Sequence, residues 1–442
     1  MRDVVVTFGG RIALTGAIIV GDVIVARSLG PEGKGAFALV LALSSLGAVV
    51  LGLGLDRSLA VYAARSLDVA QRAFANGLLW TTVVGALGVV AILVLYGPSP
   101  TGGGTGPLAP IMPPLTFPQL LLGALALPLE LAYSIGLVGL VGRQRVIAYN
   151  VLRFVRRALL TVLLLAVLFI SRLDLELVLW LNLAALAITA AGIGWAAARA
   201  RMLGFRVSPR LLVGQLSFGG RTVVGAIAER LHYRANTFLL TAFVSVAATG
   251  VFSVALALAE TLWYLPSALG LVLFSRAVRP GSDSAGIASA MTRTMLALVI
   301  VVALPLGLAA PTLIEIVYGA PFRDAGPALQ VLLPGVVAYS IVALLSNYII
   351  ARGAPGRAAA ILIAGLAVNL IGNLVLIPSA GMFGAALAST VSYTATASLI
   401  VLLYCRISGQ SMRETLVLKR TDIVTRWAQL RRLAARPGPQ GA

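Results

Sequence analysis

The sequence has a single cysteine and a single histidine in 442 residues. A lone Cys405 excludes an internal disulfide, and with only His232 beside it no thiolate and imidazole set for zinc or haem can be assembled. Charge is scarce too, at 11% of residues, and acids are the scarcer sign, 15 against 34 bases. There is no P-loop lysine motif, no HExxH and no acyl-transfer triad, so no catalysis is indicated and no organic cofactor or metal is expected. The alternating ten-residue segments of an outer-membrane barrel are also missing.

Apolar length fills the space. Hydrophobic residues make up 59% of the chain, and the mean hydropathy of +0.98 lies outside the range of soluble domains. A helix needs about 20 mostly apolar residues to cross the hydrocarbon, and about twelve such runs can be marked. They fall near residues 4–26, 36–62, 74–96, 115–141, 147–170, 177–198, 213–241, 248–275, 291–318, 327–351, 357–377 and 381–404. The first lacks a small-residue cleavage site and reads as a retained helix, not a secretory leader. The expected fold is an all-α polytopic membrane protein.

The net charge of +19 is not gathered into a basic domain with interleaved aromatics, so no nucleic acid partner is expected. The bases occupy alternate connections: Arg65 and Arg72, Arg143 and Arg145, Arg199 to Arg210, Arg276 and Arg279, Arg352 and Arg357, then the tail from Arg406. Between them, residues 96–114, the turn at Ala247 and residues 378–382 carry no charge. Under the positive-inside rule both termini face the cytoplasm. The tail, 406–442, mixes apolar residues at helical spacing with arginine and lysine, the pattern of an interfacial helix or of a solvated basic segment.

One stretch breaks the charge pattern. "VARSLGPEGKGAFAL" (25–39) places Arg27, Glu32 and Lys34 on the external side. Gly30, Pro31, Gly33 and Gly35 are turn formers, which gives two readings: a tight solvated hairpin with Arg27 and Lys34 snorkelling to the head groups, or an external gate hinge. The same stretch begins an internal repeat. "GKGAFALVLAL" from Gly33 resembles "ATGVFSVALAL" from Ala248, each heading the second helix of a six-helix half. Halves in the same orientation, 1–205 and 206–405, are the arrangement of parallel-repeat transporters with the substrate site between them.

An ionisable side chain deep in a span costs at least about 2.5 to 3.5 kcal/mol and so faces a cavity or a partner. Such residues gather in the first two spans of each half: Arg11 and Asp22, Asp56 and Arg57, then Arg221, Glu229, Arg230, His232 and Arg234, then Glu260. Arginines outnumber acids in this set, and an excess buried cation needs an anionic partner. Phosphate suits a planar guanidinium fork. Arg11, Arg57, Arg221, Arg230 and Arg234, with the amides Asn347, Asn369 and Asn373, are the expected cavity wall. Asp22, Asp56, Glu229 and Glu260 are the expected charge partners, one of them a candidate carrier of a coupling proton or sodium ion. His232, a proton sensor or carrier in principle, is assigned no role, and neither is Cys405.

Two hairpins carry a family resemblance. "ARSLGPEGKGAFALVLALSSLGAVVLGLGLDRSLAVYAAR" (26–65) and "GVFSVALALAETLWYLPSALGLVLFSRAVR" (250–279) resemble the matching hairpins of bacterial polysaccharide or oligosaccharide flippases (Wzx-like) of the multidrug/oligosaccharidyl-lipid/polysaccharide superfamily. The likeness extends over residues 1–405. It implies a MATE/MurJ-like fold of two six-helix bundles around a cationic cavity that opens alternately to either side of the inner membrane. It implies a polyprenyl-diphosphate-linked oligosaccharide as cargo, membrane lipids and polysaccharide polymerase or export machinery as partners, and no ATP hydrolysis. Peptidoglycan lipid precursor flippases carry arginines in the same spans but commonly have two further helices. Multidrug exporters usually rely on acidic residues. A glycan polymerase or ligase would show a large charged external loop, and residues 97–114 have no charge.

Overall fold

The computed structural model describes residues 2–99, 103–277 and 284–419; the side chains of residues 2–15, 222, 265, 268, 271, 272 and 274–276 are outside the description. The expectations placed on the Arg11 side chain and on the tail beyond residue 419 therefore lie outside the described residues.

The described residues form helices α1 (Arg2–Gly52), α2 (Leu55–Ala63), α3 (Leu67–Tyr96), α4 (Phe117–Gly142), α5 (Val146–Leu168), α6 (Leu175–Arg199), α7 (Pro209–Phe243), α8 (Val246–Thr261), α9 (Tyr264–Ala277), α10 (Ser284–Tyr318), α11 (Ala325–Ala351), α12 (Pro355–Ser408) and the short α13 (Met412–Leu416). Local sequence explains where many of them begin. Ser66, Thr116, Asp174, Ser208 and Ser245 each accept a hydrogen bond from a first-turn amide of α3, α4, α6, α7 and α8, satisfying donors that no helix can pair internally.

Two of the longest helices are pairs of arms. In α1 the backbone leaves helical geometry at Gly30, with φ 66° and ψ −176°, just before Pro31. Only glycine adopts that φ without a steric penalty, and the proline has no amide to continue the ladder. In α12 the break is at Gly381. With α2 and α9 as broken continuations of the arms before them, the described residues form about twelve helical arms, as many as the apolar runs. Among the described residues seven helices, α1, α3, α4, α6, α10, α11 and α12, are long and apolar enough to cross a membrane unaided; α7, bent by 50° near Arg221, is an eighth if its two parts count as one. This is a multi-pass membrane protein.

The buried apolar residues form two clusters, one drawn from residues 24–202 and the other from 240–404 with Ala26. Each half thus has its own core, and α1 leaves its half to touch the other. The charge-poor connection after α3 is pinned by buried Tyr96, which donates to the Pro113 carbonyl and accepts from the Leu115 amide, both at 2.8 Å. At the opposite, arginine-rich end, α13 is capped reciprocally by Ser411 and Glu414 and docks on α10 through Arg293 and the Ser289, Tyr404, Thr415 hydroxyl cluster.

Candidate transport cavity

Between the halves lies a cavity of about 360 Å³, walled by the second arm of α1 with α2, by α4 and α5, and by α7. Six charged side chains line it: Asp56 and Arg57 on α2, Glu130 on α4, Arg156 on α5, and Glu229 and Arg230 on α7. Tyr133 and Tyr233 add aromatic faces, and Ser45 and Ser134 add hydroxyls. The volume is within the range of small-molecule sites and is polar enough to hold water.

The α7 wall is held rigid from behind. Tyr233 packs against Trp263 at 5.2 Å and Tyr339 at 5.8 Å between ring centroids, and Trp263 in turn donates to the Val336 carbonyl at 2.9 Å. On the opposite wall Arg156 is ion-paired with Glu130 and lies 4.4 Å over the Tyr133 ring. Arg230 forms no ion pair or hydrogen bond among the described residues, although Glu130, Glu229, Glu260 and Arg234 are all within its electrostatic reach.

Several sequence-based placements need correction. Arg234 is neutralised by Glu260 at 3.1 Å and is not on the wall. Arg221 is exposed at the bend of α7, outside the cavity. Asn369 and Asn373, with no exposed area, turn into the core of the second half: Asn373 donates to Asn236 at 2.8 Å and to Asn369, and Asn369 to Ser392 at 3.1 Å. His232 joins this buried set through Ser392 at 2.9 Å. Asn347 is spent on the Ala343 carbonyl of its own helix at 2.7 Å. An arginine-dominated wall gives way to one with as many carboxylates as guanidinium groups.

The sequence reading also passed over Glu130 and Arg156. Arg153, Arg156 and Arg157 stand at i, i+3 and i+4 on α5, one face of a helix, and the spacing rule applied to the first two spans of each half would have marked them. The Asn373 amide supplies a stability prediction. Asn373→Leu strands the acceptor oxygens of Asn236 and Asn369, at about 1–3 kcal/mol for each, and should lower the thermal unfolding temperature of the detergent-solubilised protein without touching the cavity.

The charge-poor end of the cavity is closed by contacts between the halves. Lys34, 4% exposed, is ion-paired with Asp22, and Tyr318 at the end of α10 donates to the other Asp22 oxygen at 3.3 Å. Arg27 donates to the Val317 carbonyl at 2.8 Å and the Ile316 carbonyl at 2.5 Å, capping the C-terminus of α10 from another helix. Gly35 and Gly250 let the second arm of α1 and α8 touch through their backbones: a Cβ on Gly35 would overlap the Val246 carbonyl, and one on Gly250 the Pro31 carbonyl. The solvated-hairpin and snorkelling readings of residues 25–39 are therefore corrected for Lys34, which turns inward. Asp22, expected to answer a cavity arginine, answers this lysine.

No known protein-family profile matches the chain, and no curated protein is similar to it in sequence. Solved structures are similar in shape. An inward-facing multidrug resistance MATE family transporter of the MOP superfamily aligns over 90% of this chain and 98% of its own, with a TM-score of 0.65 at 15% identity. The lipid II flippase MurJ in an inward closed conformation aligns over 98% of this chain and 93% of its own, with a TM-score of 0.70 at 13% identity. A MOP superfamily transporter from Pyrococcus furiosus aligns over 91% of this chain, with a TM-score of 0.59 at 15% identity. The chain has the fold shared by these MATE and MurJ transporters.

Proposed function

We propose that the protein is a flippase that moves a polyprenyl-diphosphate-linked oligosaccharide across the cytoplasmic membrane by alternating access, for surface polysaccharide biosynthesis. The observation that carries this reading is Arg230: a guanidinium on the wall of an inter-half cavity, with no ion pair among the described residues. A cation in that position requires an anion for part of the transport cycle, and a diphosphate supplies one in the geometry that a guanidinium fork prefers. Asp56, Glu130 and Glu229 face the same space and accept hydrogen bonds, the complement of sugar hydroxyls. The polyprenyl tail stays in lipid.

In this reading the halves 1–205 and 206–405 rock about the cavity, both termini lie on the cytoplasmic side with the arginine-rich connections, and Gly30, Pro31, Gly33 and Gly35 belong to the external gate. A polysaccharide polymerase takes the delivered unit. Arg230→Gln should reduce glycan export at least tenfold and make lipid-linked oligosaccharide accumulate, with the protein present at normal level in the membrane; normal export by this variant removes the assignment.

The balanced wall favours a second reading. Three carboxylates in the cavity suit an ion-coupled exporter of cationic drugs. Expression in a sensitive host distinguishes the two, because only an exporter raises tolerance to cationic dyes. The flippase reading predicts no change.

A further inference from the structure

We propose that Glu130 stands in for a phosphoryl group: in the empty cavity its carboxylate holds the guanidinium of Arg156, and a diphosphate head group displaces it to bridge Arg156 of the first half and Arg230 of the second. This rests on the anionic-cargo reading above and adds the residues of α4 and α5 that read the diphosphate.

The geometry is that of an anion site filled by the protein's own carboxylate. Glu130 is 9% exposed and lies in α4, two residues after the helix-interior Pro128. It is the one charged residue of that helix. Its partner Arg156 is held by two contacts at once, the Glu130 carboxylate and the Tyr133 ring at 4.4 Å. The ring stays in place if the carboxylate leaves, so the fork remains aimed into the cavity. Arg230 comes from the other half and is in electrostatic reach of the same carboxylate, without an ion pair among the described residues. One carboxylate thus shares the cavity wall with two guanidinium groups, one from each half.

A diphosphate has two phosphoryl groups and can satisfy both forks, one in each half. The displaced Glu130 is not stranded, because a polar cavity of about 360 Å³ has room for roughly ten waters at ~30 Å³ each. The other charged groups facing Glu130 are Glu229 on α7 and the Asp56, Arg57 pair of neighbours on α2. Among the described residues, Arg156 is ion-paired with Glu130 and with none of these. Exchange at this one fork costs no other contact of the wall.

Removing the stand-in should therefore strengthen binding, a result that a purely structural ion pair does not give. Full-length protein in nanodiscs would be titrated with polyprenyl diphosphate, polyprenyl monophosphate and inorganic diphosphate. Glu130→Gln should bind polyprenyl diphosphate at least about tenfold more tightly than the unsubstituted protein, because Arg156 then has no competing carboxylate. Arg156→Gln should bind it at least about tenfold more weakly. The double variant E130Q/R156Q, which removes both charges of the pair together, should unfold at the temperature of the unsubstituted protein and bind like R156Q. The same order with inorganic diphosphate assigns recognition to the diphosphate alone, and the order with the lipid-linked probe only assigns it to the membrane-borne form; either supports the exchange. Unchanged or weaker binding by a folded E130Q variant, or unchanged binding by the double variant, overturns the stand-in role and leaves an anionic cargo in place. Failure of the unsubstituted protein to bind any of the three probes overturns the anionic-cargo reading itself.

Discussion

Gly250→Val should hold the charge-poor end of the protein open. The backbones of α1 and α8 meet there without side chains between them, and a Cβ at residue 250 would occupy the place of the Pro31 carbonyl oxygen. A main-chain oxygen cannot rotate out of the way as a side chain can, so the helices must separate. Overpacking of this kind costs about 3 kcal/mol, and each 1.4 kcal/mol is tenfold in an equilibrium, so the ratio of closed to open end should fall by about a hundredfold. Spin labels at Glu32 and Val244, in a background with Cys405 replaced, flank the contact and should report one short distance in the parent and a longer one in G250V. Gly35→Val, which would overlap the Val246 carbonyl, should behave the same way. Gly194→Val on α6, where an added Cβ meets nothing within 4 Å, should not. Under the proposed function both gate variants lose glycan export, because a protein that cannot close this end cannot complete a cycle. A parent-like label distance in G250V would show that the glycine contact is not what closes the end.

Much of this architecture is legible in the sequence, and the reasons are physical. Spans are fixed by hydrocarbon thickness, and the alternation of arginine-rich and charge-free connections pairs them into hairpins. The repeat of Gly35 and Phe37 in Gly250 and Phe252 marks a place where two backbones meet, and in the fold the two copies meet each other. Rotation about the helix axis is what the sequence leaves open. In water, the apolar stripe of a helix identifies its buried face; in a membrane both the lipid-facing and the core-facing sides are apolar and the stripe vanishes. Asn369 and Asn373 therefore read equally well as cavity wall or as core, and only the presence of Asn236, Ser389 and Ser392 on facing helices decides for the core. Arg156 and Glu130 illustrate the opposite case. They lie on different spans, 26 residues apart, and their pairing depends on how α4 and α5 lean together. The arginine spacing on α5 marks a polar face, and Glu130, the one charged residue of an apolar span, is marked as well; which partner each finds is what the sequence leaves open.

The charges placed at residues 25–39 of so apolar a chain have their explanation in the pairing of Lys34 with Asp22, and that pairing carries the second large effect. Lys34→Met leaves Asp22, whose side chain is 18% exposed in the closed end, without its cation. Breaking a buried pair from one side costs about 3–5 kcal/mol, because the remaining charge is uncompensated. The protein has a way to relieve this cost without unfolding: separation of α1 from α8 and α10 lets water reach Asp22. Apart from Ala26, the buried residues of the two cores come from separate halves. K34M should therefore lengthen the distance between labels at Glu32 and Val244 while leaving the thermal unfolding temperature near that of the parent. The double variant D22N/K34M removes both charges, and its amide can still accept the Tyr318 hydroxyl; it should close again, assisted by Arg27 on the last carbonyls of α10. Closure by the double variant and not by the single one would identify the uncompensated carboxylate as the force that parts the halves. A single variant that stays closed with unchanged stability would instead mean that Asp22 finds another partner in place, and the ion pair would lose its standing as the latch of this end.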